Sequence, residues 1–303
     1  MNMIKVLKKR LPGGVRYEKY KHAVQRPLGD SKAWDGYVSY LKYGLTHNSL
    51  KYRNDPYFGS GGKIKDLYGL MIPSMNPADM WELWEQEFGD IVIPYILELN
   101  GKKYNFKDID IYLDEGPYEL NENVSIKKND VVIDCGANMG LFSAIASKKG
   151  AVCYAFEPSE KIRERYTKVT AQNNPNIIIC PYALGHKVQK VYFYTNIKQL
   201  ASSKISEDRL EDGEEVRVIT LDKFVADNHI QKVDFIKADI EGAERDMLQG
   251  AKNILKKMNP KLSICAYHLA DDKEVLEDII LSANPKYNIE YAYKKLYAYV
   301  PQI

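Results

Sequence analysis

Glycines and carboxylates at the ends of the first two predicted strands have the types and spacing that favour binding of a small, partly anionic ligand. In VVIDCGANMG, Asp134 ends a strand, and Gly136 and Gly140 bracket a turn that leads into a helix. Glycine lets the backbone approach a ligand closely, and a helix start offers unpaired N–H groups. The GxxxG spacing differs from the GxGxxG of dinucleotide enzymes, which argues against a pyrophosphate. Glu157 ends the second strand, where a carboxylate can accept hydrogen bonds from both hydroxyls of a ribose.

A second group of polar side chains follows the later strands of the same predicted sheet. Asp239 and Glu241 follow the fourth strand, VDFIKADIEG, and His268 ends the fifth. In an open parallel sheet, ligands lie beyond the carboxyl ends of the strands, at the switch point between the first and fourth strands. We therefore expect Asp134 and Asp239 to face each other across one cleft, with His268 at its rim as an acid or base. Two alternatives stay open: Asp239 caps the next helix, and His268 is structural.

An alternation of short apolar runs and helical stretches after residue 131 predicts the parallel α/β sheet that positions these side chains. Strands are predicted at 131–135, 151–158, 176–184, 233–242 and 262–267. Helices are predicted near 140–149 and over 159–174, 221–229, 243–259 and 271–283. Residues 287–300 are typical of an antiparallel pair that closes the sheet, and Ser159 is a good helix N-cap. Residues 186–219 interrupt the alternation and predict an insertion with two strands around a polar loop, a candidate mobile lid.

The first part of the chain is basic and the remainder is acidic. The 303 residues carry a net charge of +2, yet residues 1–66 hold 14 basic and 5 acidic residues, which leaves a balance of −7 elsewhere. Eight of the 23 tyrosines lie between Tyr17 and Tyr68. An amphipathic helix is predicted at 76–89, and a hairpin through Asn100-Gly101.

The composition excludes several classes of protein. Apolar residues make up 45% and charged residues 28%, which is typical of a globular protein and not of a disordered or fibrous one. No apolar run reaches the roughly 18 to 20 residues of a membrane-spanning helix, and we expect no signal peptide. The four cysteines form no CxxC pair, which argues against a zinc site; we expect buried free thiols and a cytoplasmic protein.

Several segments, in order, resemble the FkbM-type family of S-adenosylmethionine-dependent methyltransferases. They are VVIDCGANMGLFSAIASKKGAVCYAFEP, ITLDKF, VDFIKADIEGAERDMLQGA and PKLSICAYH, and the resemblance runs from about residue 118 to the C-terminus. It implies an α/β class I methyltransferase fold, a Rossmann-like seven-stranded and mostly parallel sheet with an antiparallel last strand. We expect residues 118–303 to form this domain. We expect residues 1–117 to form a smaller N-terminal α+β accessory region for acceptor selection, partner or oligomer contacts.

The resemblance implies S-adenosyl-L-methionine as the cofactor. Its methionine part would contact the glycine turn, its ribose the acid after the second strand, and its adenine the loop after the third strand. The residues at these positions are Asp134, Gly136, Asn138, Gly140, Glu157, Tyr182 and Ala183. Many related enzymes have Asp or Asn in the third loop. Because this chain has PYAL there, we expect adenine recognition through backbone groups and stacking on Tyr182.

The resemblance also implies O-methylation as the usual reaction. A hydroxyl acceptor needs a base for its proton, and we predict that His268 or Asp239 is that base. Glu241 would support the base or bind the acceptor. No residue is assigned to a metal, but an alternative stays open in which Asp239 and Glu241 hold a divalent cation that orients a diol.

The acceptor and the partners are predicted only as classes. The resemblance implies a small molecule or a sugar of a glycan or natural product as the acceptor, and a homo-oligomer stays open. One alternative is a non-catalytic cofactor-binding module docked through the basic N-terminal region. Another is a nucleic-acid methyltransferase, although the acidic body and the lack of an Asn-Pro-Pro-Tyr motif argue against nucleic acid. The segment MIKVLKKRLPGGVR also suits contact with an anionic membrane surface.

Overall fold

The structure is a computed structural model that describes residues 64–67, 70–73, 91, 115–194, 204–206 and 213–301. The chain divides into two compact units, one of residues 1–68 and 73–117 and one of residues 69–72 and 118–303. The helix predicted at 76–89, the Asn100-Gly101 hairpin and nearly all of the basic segment lie outside the described residues. The roles predicted for residues 1–117 and 118–303 therefore stay predictions.

Thirteen strands are described, and seven of them form the main sheet. In chain order they are β1 (Ile64–Leu67), β2 (Leu70–Pro73), β3 (Val131–Cys135), β4 (Val152–Phe156), β5 (Ile177–Cys180), β6 (Ala183–Leu184), β7 (Gln189–Tyr194), β8 (Lys204–Ser206), β9 (Glu214–Ile219), β10 (Phe235–Ala238), β11 (Lys261–Cys265), β12 (Asn288–Ala292) and β13 (Lys295–Tyr299).

The main sheet has the strand order β12-β13-β11-β10-β3-β4-β5. β13 pairs antiparallel with both of its neighbours, and the other pairs in the sheet are parallel. This confirms the predicted α/β class I methyltransferase fold, with its Rossmann-like, mostly parallel seven-stranded sheet and antiparallel last strand. β3 and β10, the first and fourth strands, are neighbours, so the predicted switch point lies between them.

The helices pack around this sheet in two groups. In chain order they are α1 (Leu141–Lys148), α2 (Glu160–Ile162), α3 (Lys168–Asn173), α4 (Leu221–Asp227), α5 (Glu244–Gln249), α6 (Lys252–Lys257) and α7 (Asp272–Ala283), with a π-helical turn (Arg163–Thr167) between α2 and α3. α1 packs against β3, β4 and α3, while α7 packs against α5 and α6. As predicted, Ser159 is the N-cap of α2, and its hydroxyl accepts from the amide of Ile162.

The segment predicted as one strand at 176–184 forms two strands in different sheets. β5 ends at Cys180, and the chain bends at Pro181, where the amide of Tyr182 donates to the carbonyl of Cys180 at 2.9 Å. Proline has no N–H to donate to a strand ladder, so the run cannot continue through it. The residues after the bend start β6 in the second sheet.

The predicted insertion contributes β7, β8 and β9 to a small second sheet, which β6 joins from just before the insertion, in the order β6-β9-β7-β8. Both predicted strands are present as β7 and β9, and β8 lies in the segment predicted as a loop. The buried apolar side chains of this sheet form one cluster, which consists of Ala183, Val191, Phe193, Val216 and Val218. Residues 195–203 and 207–212 lie outside the described part of the chain, so the mobile lid stays a prediction.

The segment predicted as a single helix at 243–259 is divided into α5 and α6 at Gly250. The carbonyl of Gly250 accepts from the amide of Asp222 at 2.9 Å, outside its own helix. A Cβ at Gly250 would lie 2.2 Å from the carbonyl oxygen of Gly185, so only glycine fits this approach. The close approach of Gly250 to Gly185 therefore interrupts the helix that the local sequence pattern predicts.

The described residues bear on two expectations of the sequence analysis, the state of the cysteines and the lack of a membrane-spanning helix. All four cysteines, Cys135, Cys153, Cys180 and Cys265, are free and buried, as predicted. In the described ranges, no helix has both the length and the apolar composition needed to cross a membrane.

Candidate active site

The glycine turn after β3 is fixed by backbone hydrogen bonds to the neighbouring strand. The amides of Gly136 and Ala137 both donate to the carbonyl of Phe156, at 3.1 and 2.8 Å. Gly136 and Gly140 have φ values of +80° and +79°, and Asn138 also has a positive φ of +47°. A Cβ on Gly136 would lie 2.0 Å from the carbonyl oxygen of Asp239, so the turn touches the loop after β10.

The carboxylate of Glu157 lies at this turn and is almost fully buried. It accepts hydrogen bonds from the amide of Asn138 at 3.0 Å and from the amide of Ser159 at 2.9 Å. Burial raises the pKa of Glu157 to about 7, although these two amides, Arg163 and Lys237 favour the charged form. Each carboxylate oxygen has two lone pairs, so both can accept a further hydrogen bond from a ligand hydroxyl.

The carboxylate of Asp134 is completely buried inside the sheet. The Ser143 hydroxyl donates to it at 2.6 Å, and the Lys237 ammonium lies 3.1 Å away. Lys237 also donates to the carbonyl of Gly136 at 2.7 Å. Asp134 therefore does not face Asp239 across an open cleft as the sequence predicts. The reason is Lys237, which lies opposite Asp134 in the pairing of β10 with β3. Its buried ammonium needs an anionic partner, and the Asp134 carboxylate provides it.

Asp239, Glu241 and His268 come together at the ends of β10 and β11. The Nε2 atom of His268 lies 3.8 Å from Asp239 Oδ1 and 3.6 Å from Glu241 Oε2. Its Nδ1 atom lies 3.3 Å from Oε1 of the buried Glu244. One ligand atom from each of Asp239, Glu241 and His268 lies within 4.8 Å of the others, a geometry that could hold a metal ion.

The charges around His268 and Asp239 shift both of their pKa values. Burial alone would lower the pKa of His268, but Glu244, Asp239 and Glu241 outweigh it and raise that pKa to about 9. Burial alone would raise the pKa of Asp239, yet Lys237 and Lys295 lie near enough, together with the Tyr118 hydroxyl and His268, to lower it. In the free protein at neutral pH, an imidazolium therefore lies among carboxylates.

Glu241 has a backbone conformation that side chains other than glycine rarely adopt. Its φ is +57°, and Gly242 follows with φ +96°. A non-glycine residue in this region costs of order 1 kcal/mol, and such strain is concentrated at functional sites. The strained residue is thus the one whose carboxylate lies 3.6 Å from Nε2 of His268.

Three residues that the sequence analysis did not select support this cluster. The Tyr118 hydroxyl donates to Asp239 Oδ2 at 2.8 Å. The ammonium groups of Lys237 and Lys295 lie 5.2 and 4.3 Å from the centre of the Tyr118 ring. A lysine inside the apolar strand FIKA is a signal that could have identified Lys237. Tyr118 and Lys295 are far from the motifs in sequence, and only the fold brings them there.

The loop after β5 lies next to Glu157, since the Glu157 amide donates to the carbonyl of Cys180 at 3.2 Å. Tyr182 is half-buried, with the Arg217 guanidinium 5.7 Å from its ring centre. The Ala183 side chain is buried in the apolar cluster of the second sheet. The adenine contacts expected of Tyr182 and Ala183 therefore stay predictions.

Comparison with known proteins places the chain in a family. The family model described as methyltransferase FkbM domain matches residues 134–291. A hexuronic acid methyltransferase, AglP, of Haloferax volcanii is 27% identical over 133 residues, which cover 44% of this chain and 54% of that protein. The AMB antimetabolite synthetase AmbE of Pseudomonas aeruginosa is 23% identical over 51% of this chain and 9% of its own length.

One solved structure shows partial similarity to the chain. The methyltransferase FkbM of Methylobacillus flagellatus KT has a TM-score of 0.47 and 21% identity, covering 70% of this chain and 61% of that chain. The chain spans about half the length of the relative AglP and a small part of the length of AmbE. Because the family model matches half of the chain, including the glycine turn and the acidic cluster, this chain belongs to the methyltransferase FkbM family.

Proposed function

We propose that this protein is an S-adenosylmethionine-dependent methyltransferase that methylates a hydroxyl group on a sugar. One observation carries the proposal: the glycine turn after β3 touches the backbone of Asp239, with no room for a side chain on Gly136. A donor held by the turn and an acceptor held by the acidic cluster would therefore be neighbours. Methyl transfer needs this alignment, since much of its catalysis comes from positioning the two reactants.

The residues around the turn fit S-adenosylmethionine. Glu157 is buried at the end of β4 with lone pairs free for the two ribose hydroxyls, the role proposed for it. Gly136, Asn138 and Gly140 are proposed to admit the methionine part by close backbone approach. Asp134 would act indirectly, because its pairing with Lys237 fixes the turn from inside the sheet. Tyr182 and Ala183 stay proposed for the adenine.

The cofactor would supply an electrophilic methyl group, to which the acceptor oxygen bonds while the carbon–sulfur bond breaks and its electron pair stays on sulfur. The acceptor hydroxyl must lose its proton as that bond forms. Asp239 is proposed to receive this proton, and His268 can share that role only after its imidazolium has released its own proton. Glu241, which is more exposed, is proposed to contact the acceptor. The Tyr118 hydroxyl holds Asp239 in position.

A sugar acceptor is supported by the relative from Haloferax volcanii, whose name is that of a hexuronic acid methyltransferase. The exposed aromatic side chain of Tyr267, next to His268, also suits a sugar. Tyr267 is 37% exposed, and the centre of its ring lies 4.2 Å from that of the His268 ring. The Lys294 ammonium, 5.1 Å from the Tyr267 ring centre, would complement the carboxylate of an acidic sugar.

Labelled cofactor tests the proposal. The full chain is incubated with methyl-labelled S-adenosylmethionine and a fractionated pool of glycans and small molecules. We expect label in fractions that contain acidic sugars, and none when Asp239→Asn replaces the wild type. Cofactor binding by calorimetry without transfer to any fraction would instead favour the non-catalytic module.

A further inference from the structure

The side chain of His268 is nine-tenths buried, and the carboxylates of Asp239 and Glu241 flank one of its ring nitrogens. Within the described part of the chain, neither that nitrogen, Nε2, nor the other ring nitrogen, Nδ1, has a hydrogen-bond partner. The distances of 3.6 and 3.8 Å from Nε2 to the two carboxylates are too long for hydrogen bonds. A buried polar atom without such a bond is costly, so its environment requires an explanation.

We propose that Asp239, Glu241 and His268 bind a divalent first-row transition-metal ion. Ligands that share such an ion lie about 2.0 to 2.2 Å from it, so two of them can be no more than about 4.4 Å apart. Both distances from Nε2 meet this limit, and all three ligand atoms lie within 4.8 Å of one another. Adjustments of a few tenths of an ångström would bring all three to one centre.

The surroundings of the three ligands resemble the support that metal sites require. A histidine that binds a metal usually directs its other ring nitrogen to a carboxylate, which fixes the orientation of the ring. Here Nδ1 of His268 lies 3.3 Å from Glu244 Oε1, and the same Glu244 atom accepts from the amide of Ile240 at 2.8 Å. Ligating carboxylates are also hydrogen-bonded, and the Tyr118 hydroxyl donates to the second oxygen of Asp239.

The donor set decides the class of ion. Two carboxylates and one imidazole combine the oxygen ligands of Mn²⁺ with the nitrogen ligand that Zn²⁺ and Fe²⁺ prefer. Mg²⁺ and Ca²⁺ prefer sites of oxygen ligands alone. The remaining coordination positions would be open to the acceptor, because Glu241 is 36% exposed.

The role of the ion rests on the proposed function. A divalent cation at this place would orient the acceptor hydroxyl, or two neighbouring hydroxyls of a sugar, and lower the pKa of the hydroxyl that it contacts. Asp239 and His268 would then act as ligands, with His268 releasing its own proton when the ion binds, and the proton of the acceptor hydroxyl would leave to solvent. This differs from direct transfer of the proton to either side chain.

Binding of Mn²⁺ tests the site without any methyl transfer. The full chain is treated with EDTA, dialysed and titrated with MnCl₂, and free Mn²⁺ is followed by electron paramagnetic resonance, with ZnCl₂ and MgCl₂ as competitors. We expect one Mn²⁺ per chain, displaced by Zn²⁺ in preference to Mg²⁺. His268→Ala and Glu241→Gln should each weaken binding by at least about tenfold.

The matched control is His186→Ala, because His186 is a 43% exposed histidine that also pairs with a carboxylate, Asp246, at 3.1 Å. It should bind Mn²⁺ as the wild type does, and circular dichroism confirms that each variant is folded. Glu241→Gln keeps the test decisive if His268→Ala unfolds. The same affinity in wild type and variants, or no stoichiometric binding at millimolar Mn²⁺, would overturn the site.

Transfer assays on the same samples separate this proposal from the function. Full methyl transfer by EDTA-treated protein would overturn the metal while leaving the methyltransferase. Stoichiometric Mn²⁺ binding that is lost in both variants would support the site even if no acceptor takes up a methyl group.

Discussion

The Glu157 carboxylate accepts a hydrogen bond from the Asn138 amide at 3.0 Å and thereby joins the end of β4 to the glycine turn after β3. The same carboxylate accepts from the Ser159 amide at the start of α2. One buried side chain thus holds three segments of the proposed cofactor site together.

Replacing this carboxylate should weaken cofactor binding. Glu157→Gln keeps the shape of the side chain but removes the charge that strengthens hydrogen bonds to ribose hydroxyls. We expect the dissociation constant of S-adenosylmethionine, measured by calorimetry, to rise by about 10- to 100-fold. Glu164→Gln is the matched control, since Glu164 forms an exposed pair with Lys168 on the next turns of helix. Equal losses in the two variants would contradict the ribose assignment.

The pH dependence of cofactor binding and of stability should reflect the same residue. Burial raises the pKa of Glu157 from 4.5 to about 7, so between these values the folded protein keeps a proton that the unfolded chain releases. The contribution of Glu157 to stability therefore falls as pH rises through this range. Melting curves from pH 4 to 8 should show that the stability of Glu157→Gln increases relative to that of the wild type as pH rises. A constant difference would contradict the shift.

The affinity for S-adenosylmethionine should increase as pH rises, because the ribose hydroxyls donate hydrogen bonds to the ionised carboxylate. We expect S-adenosylmethionine to bind the wild type about tenfold more tightly at pH 8 than at pH 6. Calorimetry in matched ionic strength measures this, and Glu157→Gln should show no such change.

The contact between the glycine turn and the Asp239 backbone can be tested with a pair of glycines. Gly136 and Gly150 have φ values of +80° and +84°, so alanine at either position carries similar backbone strain. At Gly136 the added Cβ would lie 2.0 Å from a backbone carbonyl, but at Gly150 it would meet only the flexible Lys128 side chain at 3.2 Å. Gly136→Ala should therefore lower the free energy of unfolding by about 1 to 3 kcal/mol more than Gly150→Ala. Chemical denaturation measures both, and equal losses would contradict the close approach.

The mostly parallel sheet, the switch point and the closing hairpin could be predicted because each depends on a local pattern or on the family resemblance. Gly250 and Pro181 show where this fails. A single helix and a single strand were predicted through them, but Gly250 is needed for its contact with Gly185, and Pro181 cannot donate to the ladder.

Sequence reasoning brought Asp239, Glu241 and His268 to one place, since each follows a neighbouring parallel strand. It could not predict that Asp134 turns inward, because that depends on the buried Lys237 opposite it. Tyr118 is 121 residues from Asp239, and no local pattern connects the two.

Tyr118 should matter for turnover beyond its effect on stability. Tyr118→Phe removes the hydrogen bond to Asp239 and should lower kcat about tenfold, because the carboxylate loses its fixed orientation. Tyr287→Phe removes a similar bond of 2.8 Å to the Pro260 carbonyl, outside the site. Both variants should lose about 1 kcal/mol of stability, while only Tyr118→Phe loses kcat. Equal kcat values would exclude a positioning role for Tyr118.

The chain also provides a matched control for the proposed acid–base cluster. Asp239→Asn and His268→Ala should each lower kcat by about 100-fold or more. Asp246→Asn and His186→Ala alter an exposed carboxylate–histidine pair and should leave kcat unchanged. Calorimetry should show that cofactor still binds to all four variants. Near wild-type turnover in Asp239→Asn and His268→Ala would remove both residues from the reaction.

The central claim is transfer of a methyl group from S-adenosylmethionine to a sugar hydroxyl. Its most direct test is incubation of the full chain with ¹³C-methyl S-adenosylmethionine and a hexuronic acid glycoside, with the product identified by nuclear magnetic resonance. We predict a methyl ether that survives mild alkali, formed by the wild type and absent with Asp239→Asn. A methyl ester on the carboxylate, which alkali removes, or no labelled sugar despite tight cofactor binding, would contradict the account.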